Sequence, residues 1–193
     1  MSASERAIEG EPDPDLAEPG SGIGHARDSA TEPPRPAPRD PPGAYGELLA
    51  RGMTALDAEL LKGAVRGPAD GEEAALSLLL RAYALRADDP ELLHAMGVGY
   101  GARALQLLQR SRNEVGLVNG HDTMAEDALQ RAIFALSRAA EIDPRATASL
   151  NELAALFALR GDRDSAIDAL KRSLQAAPDQ PDARDLLEEL GAF

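Results

Sequence analysis

Two proline-terminated segments lie a fixed distance apart in the second half of this chain. EIDP ends at Pro144 and QAAP ends at Pro178, an interval of 34 residues. A fixed period of about 20 to 50 residues is typical of proteins built from stacked units, in which each unit buries its apolar face only against its neighbours. This repeat limits the fold to a stack of similar units.

The repeated unit is predicted to be helical. From Ala44 onward apolar residues recur at helical spacing, and no segment alternates with the two-residue period of a strand. We predict seven helices. The first, third, fifth and sixth cover 45–61, 90–112, 147–160 and 165–176. The second ends near 86, the fourth ends near 142, and a short seventh begins at Pro181. Asp70 with Glu73, and Thr123 with Glu126, are predicted to cap the second and fourth helices.

Successive units place the same residue types at the same positions. Counted from Thr147, the unit has Leu150, Leu153, Ala154, Phe157, Ala166, Leu170, Ser173 and Pro178 at positions 4, 7, 8, 11, 20, 24, 27 and 32. The unit counted from Pro90 supplies Leu93, Met96, Gly97, Tyr100, Ala132, Leu136, Ala139 and Pro144. Over residues 90–178 this pattern resembles the tetratricopeptide repeat family. The resemblance implies an all-α fold, a short right-handed α-solenoid of antiparallel helix pairs.

The match has two departures. The unit that begins at Pro90 fits only with 23 extra residues between its helices, which predicts an unusually long hairpin with its insertion near 110–125. In 44–88 the second helix fits through Ala75, Leu79 and Ala82, but the first does not. The last helix is polar, as the terminal helix of a repeat stack is expected to be.

Residues 1–43 are predicted to be a disordered, proline-rich, acidic tail. They hold nine of the 14 prolines and few large apolar residues, so they bury too little surface to offset their chain entropy. Their nine acidic and four basic residues give a net charge of −5, which leaves −8 for the repeat domain predicted over 44–193.

Composition argues against several classes of function. With two lysines and a net charge of −13, the chain lacks the basic surface that nucleic acid requires. There is no cysteine, which excludes disulfides, thiolate metal sites and cysteine nucleophiles. No apolar run is long enough for a membrane span and the amino terminus lacks the pattern of a secretory signal, so we expect a cytoplasmic protein. His25, His94 and His121 lack the spacing of a metal site, and we predict no metal, cofactor or catalytic residues.

Glycines at 97, 99 and 101 interrupt the third helix. No strand precedes them, so they do not form a phosphate-binding loop. Each costs the helix about 0.8 to 1 kcal/mol relative to alanine. Close packing of the paired helix explains Gly97, and our hypothesis for Gly99 and Gly101 is that they keep a binding groove shallow.

The resemblance implies a non-enzymatic scaffold that holds a peptide or helix of another protein in a concave groove. The family's groove positions 2, 5, 9, 12 and 13 correspond to Glu91, His94, Val98, Gly101 and Ala102 in one unit, and to Ala148, Asn151, Ala155, Ala158 and Leu159 in the next. The apolar hairpin tip adds Val115, Leu117 and Val118 as contact candidates.

Two alternatives stay open. The first alternative to the scaffold is a secretion or assembly chaperone for a single client. The second is a structural module that self-associates into a homo-oligomer through the long hairpin and its apolar tip. Eight residues are predicted to be core and not contacts: Leu93, Met96, Tyr100, Leu136, Leu150, Leu153, Phe157 and Leu170.

Overall fold

A computed structural model describes residues 43–113 and 120–191. Seven α-helices occupy these ranges: α1 (Ala44–Leu61), α2 (Ala75–Leu85), α3 (Pro90–Asn113), α4 (Gly120–Ile142), α5 (Thr147–Arg160), α6 (Arg163–Ala176) and α7 (Pro181–Glu189). A short 3₁₀ helix, Pro68–Asp70, lies between α1 and α2. The predicted all-α fold class is confirmed, because the described residues form helices that pack in adjacent pairs and no strand. The predicted tail at 1–43 lies outside the described residues except for Gly43.

The helices pair in chain order. In the α3/α4 pair, Asp88 before the start of α3 lies 3.1 Å from Arg138 near the end of α4, while Ser111 near the end of α3 bonds to Asp122 in the first turn of α4. Contacts at both ends between opposite termini make the pair antiparallel.

A small residue on the first helix faces a leucine on the second in each pair. A Cβ atom built on Gly97 would lie 2.4 Å from Cγ of Leu136, and one built on Gly52 would lie 2.7 Å from Cδ2 of Leu79. Ala154 and Leu170 share one fully buried cluster in the third pair. These contacts confirm the packing role predicted for Gly97. Gly52 makes the equivalent contact in the first pair, but Arg51 is exposed where the other units have a buried residue, so α1 matches the repeat only in part.

The core lies between the paired helices. Leu93, Leu136, Leu150 and Leu170 have no exposed surface, and Met96, Tyr100 and Leu153 are buried, as predicted. The prediction for Phe157 was wrong in degree, because this residue is only partly buried and its ring carries the Arg160 guanidinium at 5.2 Å. Phe157 also borders a surface hollow formed with α4 and α6, which accounts for its exposure.

Two predicted caps were wrong. Helix α4 begins at Gly120, so Thr123 lies inside its first turn instead of preceding it. Asp70 ends the 3₁₀ helix, where its carboxylate accepts the N–H of Gly67 at 2.6 Å, and α2 starts only after Ala74. In both cases the cap motif is present in the sequence, but the helix begins at a different residue.

The α3/α4 hairpin is much longer than the next pair. Helices α3 and α4 have 24 and 23 residues, whereas α5 and α6 have 14 each. The α1–α2 connection packs on this longer hairpin, because Arg103 of α3 donates to the carbonyl of Val65 at 2.9 Å and lies 3.1 Å from Asp70. The buried carboxylate of Glu59 in turn accepts the backbone N–H of Arg66 at 2.8 Å, which fixes the start of the connection.

Candidate functional site

An apolar groove of about 520 Å³ lies among α1, α3 and α5. Its floor is the α3 face that carries Gly97, Val98, Gly101 and Ala102. The opposing walls and rim come from Leu60, Leu105, Glu152, Ala155, Leu156 and Leu159. Five of the sequence-predicted site residues therefore lie in one groove: Val98, Gly101, Ala102, Ala155 and Leu159.

Three exposed leucines meet in this groove, which we call the leucine groove. Leu60 of α1, Leu105 of α3 and Leu159 of α5 are 37%, 44% and 38% exposed. They are three of the six large apolar side chains that are exposed within residues 43–113 and 120–191. Single exposed leucines are common, but convergence of three helices on one apolar surface is characteristic of a binding site.

The polar residues predicted for the site are partly engaged within the protein. Nδ1 of His94 lies 3.0 Å from the hydroxyl of Ser149, which links α3 to α5. The side-chain amide of Asn151 donates to Gln180 at 2.8 Å and so links α5 to the start of α7. Glu91 and Ala148 are exposed and Ala158 is partly exposed, but none of them lines the leucine groove.

The hypothesis for the glycines holds for one position and fails for the other. A Cβ atom on Gly99 would lie 2.9 Å from Cδ2 of Leu76 and 3.3 Å from Cδ1 of Leu56, so Gly99 packs against α2 and α1 and does not face the groove. Gly101 lines the groove, and a Cβ atom there would lie 3.2 Å from Cδ2 of Leu156. Gly101 thus lets Leu156 of α5 approach α3 closely.

Helix α7 adjoins α5, the helix that forms one wall of the leucine groove. Gln180, the residue before α7, accepts from Asn151 and donates to the carbonyl of Ser173 on α6 at 3.0 Å. Ala183 and Leu187 of α7 are buried in the cluster that contains Ala154 and Leu170. With this face buried, the carboxylates of α7 are left exposed to solvent.

A second groove, of about 430 Å³, lies between α2 and α4 and is floored by α3. Its lining includes Tyr83 of α2, Tyr100 of α3 and Phe134 of α4, and Phe134 is 62% exposed. These are three of the six aromatic residues in the chain, and we call this surface the aromatic groove. Sequence reasoning missed it, although Phe134 lies at an exposed position of an otherwise amphipathic helix.

Tyr100 holds an unusual position in the aromatic groove. The residue is 5% exposed, and its hydroxyl is buried without a hydrogen-bond partner among the described residues. Burial raises the pKa of Tyr100, an effect that nearby Arg131 opposes only in part. The hydroxyl proton of Tyr100 has no acceptor among the described residues. Arg131 itself pairs with Asp127 at 2.8 Å, beside the tyrosine ring.

The remaining sequence predictions concern the hairpin tip, metal binding and membrane spans. Val115, Leu117 and Val118 lie outside the described residues. Within the described ranges, no cluster of three or more histidine and carboxylate side chains has the geometry to hold a metal ion. No helix in those ranges combines the length and apolarity needed to cross a bilayer.

Comparison with known proteins places few limits on the family. No protein-family profile and no curated protein sequence matches the chain. One similar solved structure is the crystal structure of the APC/C hetero-tetramer Cut9–Hcn1, with a TM-score of 0.35 and 19% identity. The similarity covers 77% of this chain and 30% of that chain, so the present chain spans less than a third of the solved one. A likeness this weak carries no conclusion about family or function.

Proposed function

We propose that this chain is a non-enzymatic scaffold of the tetratricopeptide type, which binds a peptide or helix of a partner protein in the leucine groove. The observation that carries the proposal is the convergence of Leu60, Leu105 and Leu159 from three helices on one open groove. Burial of a fully exposed leucine contributes about 1.5 to 3 kcal/mol, and these three leucines retain 37–44% of their exposure for a partner to cover. A partner that covers all three therefore gains part of that contribution at each.

The walls of the groove are held in place before any partner arrives. The His94–Ser149 contact ties α3 to α5, and Leu156 packs directly over Gly101. A preorganised groove avoids part of the ordering cost that binding otherwise incurs.

The test is affinity capture from source-cell lysate with mass-spectrometric identification, using the full chain and three variants. The first variant carries Leu105→Asp and Leu159→Asp, which place charges in the groove at exposed positions. The second carries Phe134→Asp in the aromatic groove. The third replaces residues 113–122 by a glycine-serine linker and so removes the predicted hairpin tip. We expect a partner that only the first variant loses.

The other outcomes separate the alternatives. A partner lost only with the linker variant would place the contact at the hairpin and contradict the groove. A partner lost only with Phe134→Asp would move it to the aromatic groove. Light scattering on each variant tests self-association, and a dimer dissolved by the linker would favour the self-assembling module. Circular dichroism and a thermal melt must first show that each variant is folded.

A further inference from the structure

The charged residues in the groove register of this chain are acidic, whereas Arg184 of α7 lies outside this register and donates to the carbonyl of Pro178. Its lining contains a single charged residue, Glu152 of α5. On α7, which begins 34 residues after α5, the positions equivalent to Ala148, Asn151 and Ala155 are Asp182, Asp185 and Glu189. Glu91 occupies the equivalent position at the start of α3.

No lysine or arginine balances these carboxylates in the groove register. Groove positions on α3, α5 and α7, up to Glu189, hold no basic residue, although the chain has 20 lysines and arginines. Within the described residues, Glu152, Asp182, Asp185 and Glu189 take part in no ion pair. All four are exposed.

The acidic and apolar surfaces adjoin each other through a defined contact. Asn151 is one turn from Ala155 of the groove wall, and its amide is bonded to Gln180 directly before α7. A ligand that leaves the leucine groove along α5 therefore reaches the carboxylates of α7. Like charges without partners raise the local negative potential and favour cationic ligands.

We propose that the groove binds an amphipathic cationic segment of a partner protein, with apolar side chains on the three leucines and lysine or arginine side chains on the α7 carboxylates. The inference rests on the proposed function and specifies the chemistry of its ligand. It also fixes a polarity, because the apolar contact lies at α1, α3 and α5 and the ionic contact lies at α7. An acidic or carboxylate-terminated ligand is disfavoured by the same charges.

The test uses a synthetic peptide of about four helical turns with leucines on one face and lysines on the other. Comparison peptides of the same length carry glutamate or glutamine in place of lysine. Binding to the full-length ¹⁵N-labelled chain is followed by isothermal calorimetry and by amide chemical shifts. We expect the leucine–lysine peptide to bind most tightly, to shift amides of α3, α5 and α7, and to bind more weakly in high salt. The salt effect follows because the Debye length falls from about 10 Å at 0.1 M to about 3 Å at 1 M.

Two double variants distinguish local recognition from general attraction to an acidic protein. D182N/D185N removes two carboxylates from α7, while D164N/D168N removes two carboxylates from α6 and changes the net charge of the chain equally. Each pair combines one carboxylate in the first turn of its helix with one further along. We expect D182N/D185N to weaken binding about three- to tenfold and D164N/D168N less than twofold. Leu159→Ser, in the apolar part, is expected to weaken it about tenfold.

Three results would overturn the inference, and they bear differently on the proposed function. Equal effects of the two double variants would show non-specific attraction. Tighter binding of the glutamate or glutamine peptide at the same amides would retain the groove and reject a cationic ligand. Absence of binding by all three peptides, or binding that Leu159→Ser leaves unchanged, would count against the cationic segment and also against the groove as a helix-binding site.

Discussion

The two grooves share α3 as a floor but differ in what covers it. The leucine groove is shaped by small residues and aliphatic side chains, and its only charged lining residue is Glu152. The aromatic groove is lined by Tyr83, Tyr100 and Phe134, and it contains a buried hydroxyl without a partner. One helix thus supports two surfaces with different chemistry.

The difference follows from what packs on each face of α3. On one face, Gly97 and Gly101 let Leu136 of α4 and Leu156 of α5 come close to the helix backbone. On the adjoining face, the larger residues Leu93, Met96 and Tyr100 line the aromatic groove between α2 and α4. The leucine groove is therefore floored by glycine and other small residues, and the aromatic groove by large side chains.

The largest expected effect tests the packing of α4 on α3 at Gly97. Leu136→Ala removes a side chain with no exposed surface that fills the space over Gly97. We expect a loss of about 2 to 5 kcal/mol in the free energy of unfolding, measured by urea denaturation. Leu156→Ala is the matched change over Gly101. Leu156 borders the leucine groove and is 6% exposed, so we expect a smaller loss than for Leu136→Ala. Equal losses would contradict the distinction between tight packing at Gly97 and looser packing at Gly101.

A pair of glycine substitutions sharpens the same distinction. Gly97→Ala places a methyl group 2.4 Å from Leu136, and we expect the overpacking to destabilise the fold by about 1 to 3 kcal/mol. Gly101→Ala meets Leu156 at 3.2 Å, near the end of its side chain. Its gain in helix propensity, about 1 kcal/mol, should offset most of that contact. Thermal melts of both variants measure these two changes in stability. A Gly97→Ala variant more stable than wild type would refute the packing described for α3 and α4.

These positions also show how far sequence reasoning reached. The repeat register predicted Gly97 and most of the core, because one buried position recurs in each unit at the same spacing. It did not predict the role of Gly99, whose neighbours Leu56 and Leu76 come from a pair that sequence matching left partly unaligned. Gly52 opposite Leu79 is the signal that could have aligned α1. The aromatic groove brings together side chains of α2, α3 and α4, and no local pattern encodes which of these side chains meet.

The next prediction concerns the start of α3, the helix that forms the floor of both grooves. Asp89 accepts the N–H groups of Glu91 and Leu92 at 2.9 and 3.3 Å, which makes it the cap of α3. Burial alone opposes its ionisation, but the nearby hydroxyl of Tyr45, the hydrogen bonds from these amides and nearby Arg86 hold the pKa of Asp89 below its usual range. We expect Asp89→Ala to cost about 1 kcal/mol at neutral pH.

The pH dependence of that cost provides its control. A carboxylate with a lowered pKa stabilises the fold above its ordinary value of about 3.9, and the contribution is lost as the pH falls through the lowered pKa. Urea denaturation of wild type and Asp89→Ala should therefore give a difference at neutral pH that shrinks in acid. A difference that is constant with pH would contradict an ionised cap.

The smallest expected effect concerns the hydroxyl on the floor of the aromatic groove. Tyr100→Phe removes a buried donor that has no partner among the described residues, so the variant should be more stable by up to about 1 kcal/mol. Tyr83→Phe, in the same groove, is the control, because its hydroxyl is not among the buried unpartnered atoms and its loss should be nearly neutral. Differential scanning calorimetry can measure the change in stability of each variant. A destabilised Tyr100→Phe would mean that water or a ligand satisfies the hydroxyl, which would make the aromatic groove a polar recognition site and remove its main contrast with the leucine groove.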